Sequence, residues 1–477
     1  MREPTKMAQA TERMSRVDTA WLRMDNDVNL MSIVGVWLIE PGISYEALCE
    51  RVATKLLKYG RFRQKVVEDA MGANWVDDAD FDIHHHVRHE ALVRLPKQSE
   101  RAALQARVGE LSMTPLDRSR PLWQFQLIDD YEGGSALIAR VHHCIADGIA
   151  LISVMLSITD GGTEPPPRKR RAVDDEGADW LTDAVVRPLT DVAVKAIGLY
   201  GGGIVKSMEL LSKPQPLQGS IDVARVGYQV VSDAAAMLLM PDDSPTRLKG
   251  KPIGAKRVAW GEPLPLDQVK AIGKALNCSI NDVLLACVAG AIGGYLRDQG
   301  DDTTGQEIRA MVPVNLRPLE KAYKLGNQFG LVPLVLPIGI VNPVERAYAV
   351  RARMAELKGS YQPLLAFAVL AVSGLLIKPM QDALLNLFAK KTTAVMTNVP
   401  GPAVALKVCG STLRQVMFWV PQSGEIGVGV SILSYGGGVQ FGLITDAQLC
   451  PDPQKIIDRF EPEFEKLLMV TLMLPWE

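Results

Sequence analysis

The stretch "VHHCIADGIA", residues 141–150, places two adjacent histidines and an Asp-Gly pair where the hydrophobic pattern of the chain changes. A strand-like run precedes it, paired with an earlier run about the Gly-Gly turn at Gly133 and Gly134. After Gly148 the apolar residues recur at helical spacing. The stretch therefore predicts a strand that ends at the histidines and a helix that begins at Gly148.

Only one of the two histidines is expected to face a site, because neighbouring side chains of an extended chain point to opposite faces. We place His143 at the crevice that forms at the mouth of a sheet. His142 is expected on the opposite face, held by packing or a hydrogen bond. Gly148 is expected to permit a tight turn, and Asp147 to fix the loop through an ion pair with an arginine.

A single imidazole with a pKa near neutrality can take a proton from an alcohol and later return it to a leaving group. The sequence contains no GxSxG nucleophile elbow and no cysteine in a known catalytic motif, which disfavours a covalent acyl-enzyme. Zinc needs three or four converging ligands, and adjacent histidines on a strand diverge, so no metal is expected. No phosphate-binding glycine motif occurs either, and no cofactor is predicted.

Composition sets further limits. The 477 residues are 47% hydrophobic and 22% charged with a net charge of -2, which argues against a nucleic-acid partner. The six scattered cysteines are typical of reduced thiols, and the N-terminus lacks a secretory signal, so a cytoplasmic location is expected. The longest apolar run, 364–377, is shorter than the roughly 20 residues of a membrane span. It predicts either a core helix or a lipid-contacting one flanked by Lys378, Lys390 and Lys391.

Both halves of the chain mix strands and helices, with a second hairpin predicted around Gly436–Gly438. The natural architecture is α+β, with two lobes and a cleft between them. Proline-rich and charged stretches divide the chain into an N-terminal lobe (1–165), a helical linker region (166–250) and a C-terminal lobe (251–477).

Several motifs together carry a family resemblance. "HHCIADG" resembles the HHxxxDG signature of chloramphenicol acetyltransferase and of condensation domains. Its companions, in chain order, are "SRVDTAWLRMD" from Ser15, "PLDRSRPLW" from Pro115, "NDVLLA" from Asn281, "VPVNLR" from Val312, "GNQFG" from Gly326 and "TNVPGP" from Thr397. This combination resembles the bacterial wax ester synthase/acyl-CoA:diacylglycerol acyltransferase family from near residue 15 to near residue 470. Asn315 and Thr397 depart from it, since serine is commoner at both positions.

The resemblance implies two chloramphenicol-acetyltransferase-like lobes, each a mixed sheet with flanking helices, and an active-site tunnel between them. His143 matches the catalytic base of the family, within a motif that also includes His142, Asp147 and Gly148. The resemblance further points to substrate contacts at Pro121, Leu122, Trp123, Asn281, Asp282 and Asn398. Arg317 is the candidate partner of Asp147 on the second lobe, inferred by analogy.

The residues themselves leave alternatives open. Trp123 would pack an acyl chain if it faces inward, or would be a plain core residue. Asn281 would donate to the thioester oxyanion or fix His143, or it would belong to a helix cap formed by Ser279 to Asp282. Asn398 is expected in a tight turn, where turn chemistry or substrate contact would explain it.

The function implied is O-acyl transfer from long-chain acyl-CoA to diacylglycerol or a fatty alcohol. His143 would act directly, without an acyl-enzyme. Two alternatives remain: a different acceptor, such as a polyketide or short alcohol, and a non-catalytic lipid-binding or condensation-like module. The expected partners are the acyl-CoA and lipid alcohol substrates, with peripheral membrane or lipid-droplet contact.

Overall fold

The computed structural model describes residues 11–69, 72–162, 240–316, 325–358, 362–373, 376 and 378–473. The predicted linker region therefore falls largely outside the described residues. Only its last part, from residue 240, is described, and it runs without helix or strand.

Three β-sheets organise these residues. The small sheet contains β1 (Thr11–Arg13), β3 (Gln64–Asp69) and β4 (Gly72–Asp77). The N-lobe sheet contains β2 (Ser32–Glu40), β5 (Val87–Ala91), β6 (Trp123–Tyr131), β7 (Gly134–His142), β13 (Lys407–Val408) and β14 (Ser411–Trp419). The C-lobe sheet contains β8 (Lys256–Trp260), β9 (Leu264–Pro265), β10 (Ile308–Asn315), β11 (Phe329–Leu336), β12 (Ala394–Pro400), β15 (Val428–Tyr435) and β16 (Gly438–Asp446).

Helices flank the sheets. Those in the first half are α1 (Arg16–Arg23), α2 (Tyr45–Thr54), α3 (Ile83–His86), α4 (Glu100–Ser112) and α5 (Gly148–Ser157). Those in the second half are α6 (Leu266–Ala275), α7 (Ile280–Asp298), α8 (Pro343–Lys358), α9 (Gln362–Ser373), α10 (Lys378–Ala389) and α11 (Gln454–Leu472).

Both predicted hairpins are present. β6 and β7 pair antiparallel, and the turn between them has positive φ at Glu132 and Gly133. β15 and β16 also pair antiparallel, about Gly436 and Gly437, both at positive φ. Two successive residues at positive φ make a turn whose twist matches that of the flanking strands, which explains the glycines at 133, 436 and 437.

The strand order shows that the second half of the chain contributes strands to the N-lobe sheet. The N-lobe sheet runs β13-β14-β2-β7-β6-β5, and the C-lobe sheet runs β11-β10-β12-β15-β16-β8 with β9 beside β16. Residues 407–419 therefore belong to the N-lobe sheet, although they lie in the second half of the chain. The sequence-based boundary, which assigned all of 251–477 to one lobe, is wrong in this respect.

The buried core has a part in each lobe and a third part between them. The third part packs α4 and one face of the N-lobe sheet against C-lobe residues that include Trp260. Helix α7 is the core helix of the C lobe. Among the described residues it alone is long and apolar enough to cross a membrane by length and composition, and 83% of its apolar window is buried within the protein.

The apolar run 364–377 forms much of α9, which packs on α1 and β11. Among its described apolar side chains, Leu365, Ala366, Ala368 and Leu370 are buried, and Phe367 and Val369 are half-buried. Of the flanking lysines, Lys378 donates to the carbonyl of Arg23, and Lys391 donates to the carbonyl of Met240. These contacts favour the core-helix interpretation over the lipid-contacting one.

Candidate active site

The HHxxxDG stretch lies where strand β7 ends at His142 and helix α5 begins at Gly148. Asp147 is the N-cap of the helix, and its Oδ1 accepts a hydrogen bond from the Ala150 backbone N at 2.9 Å. An aspartate in this position satisfies a donor that the first helical turn leaves unpaired. The predicted strand-to-helix transition is confirmed.

Gly148 has a different role from the one expected. Its φ is not in the left-handed region, so the turn does not depend on glycine for its backbone conformation. A Cβ at this position would meet no atom within 4 Å. The missing side chain instead leaves open space at the start of α5.

Asp147 also ties the loop to the second half of the chain. Its Oδ2 accepts a hydrogen bond from the backbone N of Gln328 at 3.1 Å, and Ala146 forms a β-bridge with Gly326. Arg317, the predicted ion-pair partner of Asp147, lies outside the described residues, so that pairing stays a prediction.

The backbone of His143 is held on both sides. Its N donates to the carbonyl of Met31 at 2.7 Å, and its carbonyl accepts from Asn327 Nδ2 at 2.7 Å. The ring stacks on Trp21, with the centroids 4.1 Å apart and the planes 15° from parallel, and Phe329 lies 5.5 Å away. These contacts fix the direction of the imidazole before any substrate binds.

The electrostatic setting keeps the His143 ring neutral. Burial lowers the pKa of His143 to about 4 because the imidazolium loses its hydration. Hydrogen bonding to its own backbone and to Asn327 raises the pKa, but by less than burial lowers it. Nδ1 is buried without a hydrogen-bond partner among the described residues. At pH 7 the ring is therefore neutral and able to accept a proton, and once protonated it would release that proton readily.

His142 lies on the opposite face, as strand alternation predicts. Its Nδ1 accepts a hydrogen bond from the backbone N of Cys144 at 3.1 Å, which places the proton of the neutral ring on Nε2. Nε2 lies 3.3 Å from Asp25 Oδ2. Burial raises the pKa of Asp25, but His142, Met31 and Arg118 outweigh it and hold the pKa below its usual value. His142 is thus a buried structural ring on the far side of the strand from His143.

Asp18 completes the support of His143 from α1. Its Oδ1 accepts from both the backbone N and the Nδ2 of Asn327, at 3.1 and 2.7 Å. Burial raises the pKa of Asp18 to about 6, although the hydrogen bonds from Asn327 and Ser15 act in the other direction. Asn327 Nδ2 thus donates both to Asp18 and to the backbone oxygen of His143, and it connects two distant parts of the sequence next to the reactive residue.

A cavity of about 1300 Å³, including its open mouth, lies between the HHxxxDG loop and the C-lobe sheet, and His143 lines it. Its wall is mostly apolar. The N-lobe elements contribute Trp21, Met24, His143, Asp147, Gly148 and Phe418, and the C lobe contributes residues of β10, β11, β12, α9 and α10. A mostly apolar cavity with a few polar groups around one imidazole is typical of a site for a lipid-like substrate.

The two departures from the family pattern lie in this cavity wall. Asn315, at the end of β10, and Thr397, in β12, both line the cavity. They add an amide and a hydroxyl to the few polar groups of a mostly apolar lining.

The predicted substrate contact of Pro121, Leu122 and Trp123 needs correction, because none of the three lines this cavity. The Trp123 side chain is 1% exposed, and its Nε1 donates to the carbonyl of Phe62 at 2.9 Å. Its ring stacks on His86 with the centroids 4.5 Å apart. Trp123 is a core residue of the N lobe.

The Asn-Asp pair at the start of α7 divides into two roles. Asp282 forms a capping box with Ser279: Asp282 Oδ2 accepts from the Ser279 backbone N, and Ser279 Oγ accepts from the Asp282 backbone N. The structure thus gives Asp282 a capping role and does not place it in the wall of the His143 cavity. Asn281 is exposed and does not line the cavity. Its Oδ1 instead accepts from Asn398 Nδ2 at 3.0 Å.

Asn398 lies in strand β12 and not in the tight turn that its sequence context predicts. It lines the same cavity as His143. Of the predicted substrate-binding residues that the structure describes, Asn398 is thus the one that the fold brings to the cavity with the proposed base.

Sequence reasoning missed four residues that build this site: Asp18, Trp21, Asn327 and Phe329. The available signal was their position in the two motifs "SRVDTAWLRMD" and "GNQFG". Those motifs carried the resemblance, but nothing local in either one indicates that the two meet at His143.

Comparison with known families agrees with this geometry. Residues 14–284 match the family model described as the wax ester synthase/diacylglycerol acyltransferase catalytic domain, and residues 325–468 match its C-terminal domain. A probable diacylglycerol O-acyltransferase of Mycobacterium tuberculosis is 27% identical over 470 residues, which cover 96% of each chain. A putative diacylglycerol O-acyltransferase of Mycobacterium bovis matches with the same identity and coverage.

Solved structures confirm the expected α+β fold. A wax ester synthase/diacylglycerol acyltransferase from Marinobacter aquaeolei VT8 superposes with a TM-score of 0.63 at 20% identity, covering 96% of this chain and 100% of that one. The first condensation domain of the calcium-dependent antibiotic synthetase superposes with a TM-score of 0.54 at 13% identity, covering 97% of both chains. The two-lobe architecture is shared across these structures.

Proposed function

As a member of the wax ester synthase/diacylglycerol acyltransferase family this chain is an acyltransferase, and we propose that His143 catalyses the transfer directly from acyl-CoA. The acceptor would be the hydroxyl of diacylglycerol or of a fatty alcohol. The observation that carries the proposal is a neutral, oriented imidazole in the wall of a large, mostly apolar cavity between the lobes.

The first step is attack on the thioester. Nδ1 of His143 is enclosed by protein, so Nε2 is the nitrogen that would take the hydroxyl proton. As that O–H bond breaks, the oxygen forms a bond to the thioester carbon, and the carbonyl electrons move onto oxygen to give a tetrahedral oxyanion. A positioned base of this kind contributes roughly 10²- to 10⁴-fold to the rate.

The second step is collapse of the oxyanion. The carbon–sulfur bond breaks, and the CoA thiolate takes the proton from His143, which leaves the ester, free CoA and a neutral ring. A thiol has an ordinary pKa of about 8.5, well above the pKa of about 4 of His143. Proton return to sulfur is therefore strongly downhill, and no acyl-enzyme is needed.

Asn398 is the candidate donor to the oxyanion. An asparagine amide carries two N–H groups, and one is used in the hydrogen bond to Asn281. The second would donate to the charged oxygen, a contact that strengthens as charge develops. Asn281 would then orient Asn398 without touching the substrate.

The test is an acceptor panel. The purified full chain would be incubated with palmitoyl-CoA and, separately, with diacylglycerol, a long-chain alcohol, a short alcohol and buffer alone. Free thiol would be measured, and products separated by chromatography. We expect ester formation with at least one of the two lipid acceptors in stoichiometric ratio to released CoA. Transfer to the short alcohol alone, or CoA release without ester, would contradict the proposal.

Location and surface contact stay proposals. We propose a cytoplasmic protein that meets membranes or lipid droplets peripherally, since both acceptor classes partition into them. Sedimentation with phospholipid vesicles and with triacylglycerol emulsions would test this, and full recovery in the supernatant of both would contradict it.

A further inference from the structure

A second cavity lies under helix α5, and no step described so far uses it. It encloses about 700 Å³ of empty space, including the part that is open to solvent, and its lining is almost entirely apolar. The roof consists of α5 side chains, among them Leu151 and Met155. The floor is the face of the N-lobe sheet formed by β2, β7 and β14.

The sheet leaves space below α5 because some neighbouring strand positions carry small side chains. Phe418 on β14 pairs with Gly35 on β2, which pairs with Ala139 on β7. Two of these three positions carry at most one methyl group, which leaves a gap between this part of the sheet and α5. A Cβ at Gly35 would have its nearest neighbours at 3.6 and 3.9 Å, which are ordinary contacts. Nothing in the local packing therefore demands glycine there.

The two cavities share part of their walls. Gly148 and Phe418 line both of them. Because a Cβ at Gly148 would meet only open space, the start of α5 leaves a passage where a side chain would otherwise stand. The second cavity thus adjoins the chamber of His143.

We propose that the second cavity binds the hydrocarbon chain of a substrate whose reactive end lies at His143. This inference rests on the proposed acyl transfer and assigns a binding place to one hydrocarbon chain of the substrates. Unfilled volume destabilises a protein core, so an apolar cavity retained beside the reactive ring is expected to be filled during turnover. Its lining offers an alkyl chain dispersion contacts and offers a polar headgroup no partner.

The same chemistry has two sources, the acyl chain of the thioester and the chain of the acceptor. Two arms of one assay separate them. In the first, the acceptor is fixed and kcat/KM is compared for palmitoyl-CoA and octanoyl-CoA. In the second, palmitoyl-CoA is fixed and hexadecanol is compared with octanol.

The variants are Ala139→Val and Gly35→Ala, with Ala136→Val as the matched control. Ala136 lies on the same strand but on the opposite face, in the core that contacts α4. Each methylene that can no longer be buried costs about fourfold in affinity. Ala139→Val should therefore reduce the long-to-short preference in one arm by roughly 15-fold if two methylenes are excluded. Gly35→Ala should reduce it by about fourfold, and Ala136→Val should leave it unchanged.

The arm in which the long-to-short preference changes identifies which hydrocarbon chain, acyl or acceptor, the second cavity binds. Unchanged ratios in both arms, with active Ala139→Val or Gly35→Ala protein, would overturn the proposal. If Ala139→Val does not fold, Gly35→Ala alone decides the outcome, because its methyl group fits the observed contacts.

A binding measurement separates this inference from the proposed function. Displacement of cis-parinaric acid by palmitic acid needs no turnover. Weaker binding by Ala139→Val or Gly35→Ala than by wild type and Ala136→Val would support the chain site even if no acceptor in the panel is esterified. Equal binding by all four proteins would overturn it.

Discussion

Asn327 Nδ2 lies 2.7 Å from the backbone oxygen of His143, so an amide from the second half of the chain holds the proposed catalytic residue in the first. The same nitrogen donates to Asp18 Oδ1, also at 2.7 Å. Both contacts are buried. They make Asn327 a positioning residue: it acts on the reaction through His143, and the structure does not place it in the cavity wall.

Replacing Asn327 with alanine should therefore lower kcat with little change in KM. The ring of His143 would keep its stack on Trp21 but lose a tether of its backbone. Misplacement of a reacting group by about 1 Å can cost on the order of 100-fold. We expect a loss of roughly 10- to 100-fold, measured as CoA release with palmitoyl-CoA.

Gln328→Ala is the control for this variant. Gln328 contacts Asp147 through its backbone N, which the substitution preserves, and its side chain is exposed. Near wild-type kinetics are expected. Equal kcat values for Asn327→Ala and wild type would show that the tether does not matter for catalysis.

The acid limb of the pH–rate profile should lie well below the ordinary imidazole range. His143 must be neutral to accept a proton, and burial lowers its pKa to about 4. Lowering the pH from 7 to 5 should therefore leave most of the His143 ring in its active form. A half-maximal kcat/KM near pH 6.5, unchanged in the Asp18→Asn variant, would contradict the assigned environment.

The raised pKa of Asp18 makes the free energy of unfolding depend on pH, with stability falling as the pH rises. Its pKa in the folded protein is about 6, above its ordinary value of 3.8. The stabilisation is fully present below the unfolded pKa and is lost as the pH rises through the folded pKa. Asp18→Asn should remove a term of about 3 kcal/mol in the free energy of unfolding.

Urea unfolding of both proteins at pH 5 and pH 7.5 measures the part of this term that is lost between those two pH values, about 1.4 kcal/mol. The comparison uses the difference between variant and wild type, because His143 also titrates between its folded and unfolded pKa values. Relative to wild type, the variant should gain stability at the higher pH. A difference that does not change with pH would contradict a buried, titrating Asp18.

Trp123→Phe should affect stability and leave the chemistry alone. The substitution leaves the carbonyl of Phe62 without its indole donor and changes the stack on His86. An unsatisfied buried polar group costs about 1–3 kcal/mol, so the midpoint of urea unfolding should fall. At a temperature where both proteins are folded, kcat/KM should change less than about threefold. A large selective loss of kcat/KM would restore Trp123 to the substrate site.

Local rules predicted the centre of this site well. Strand alternation separated His143 from His142, and the change to helical spacing located the start of α5 at Gly148. Glycine pairs located both hairpins. These features depend on neighbours in the sequence, which is why one sequence suffices to predict them.

Long-range contacts could not be obtained in this way. Asp18 and Asn327 are 309 positions apart, and no periodicity relates them. The pairing of β14 with β2 likewise brings residues 411–419 into the N-lobe sheet against their order in the chain. For Trp123 and Asp282, residue type and motif were compatible with either role, and only burial and hydrogen-bond partners distinguished core and cap from substrate contact.

The central claim is that one imidazole transfers the proton, and His143→Ala tests it most directly. Removing the ring leaves no hydrogen-bond partner of Nδ1 unpaired among the described residues, because Nδ1 has none there. Both backbone hydrogen bonds of His143 survive the substitution. The fold should therefore persist, and a cooperative urea transition would verify this. With palmitoyl-CoA and the best lipid acceptor, the rate of CoA release should fall by at least roughly 10²-fold. A folded His143→Ala protein that releases CoA and forms ester within about threefold of the wild-type rate, far inside the contribution of a general base, would contradict the account.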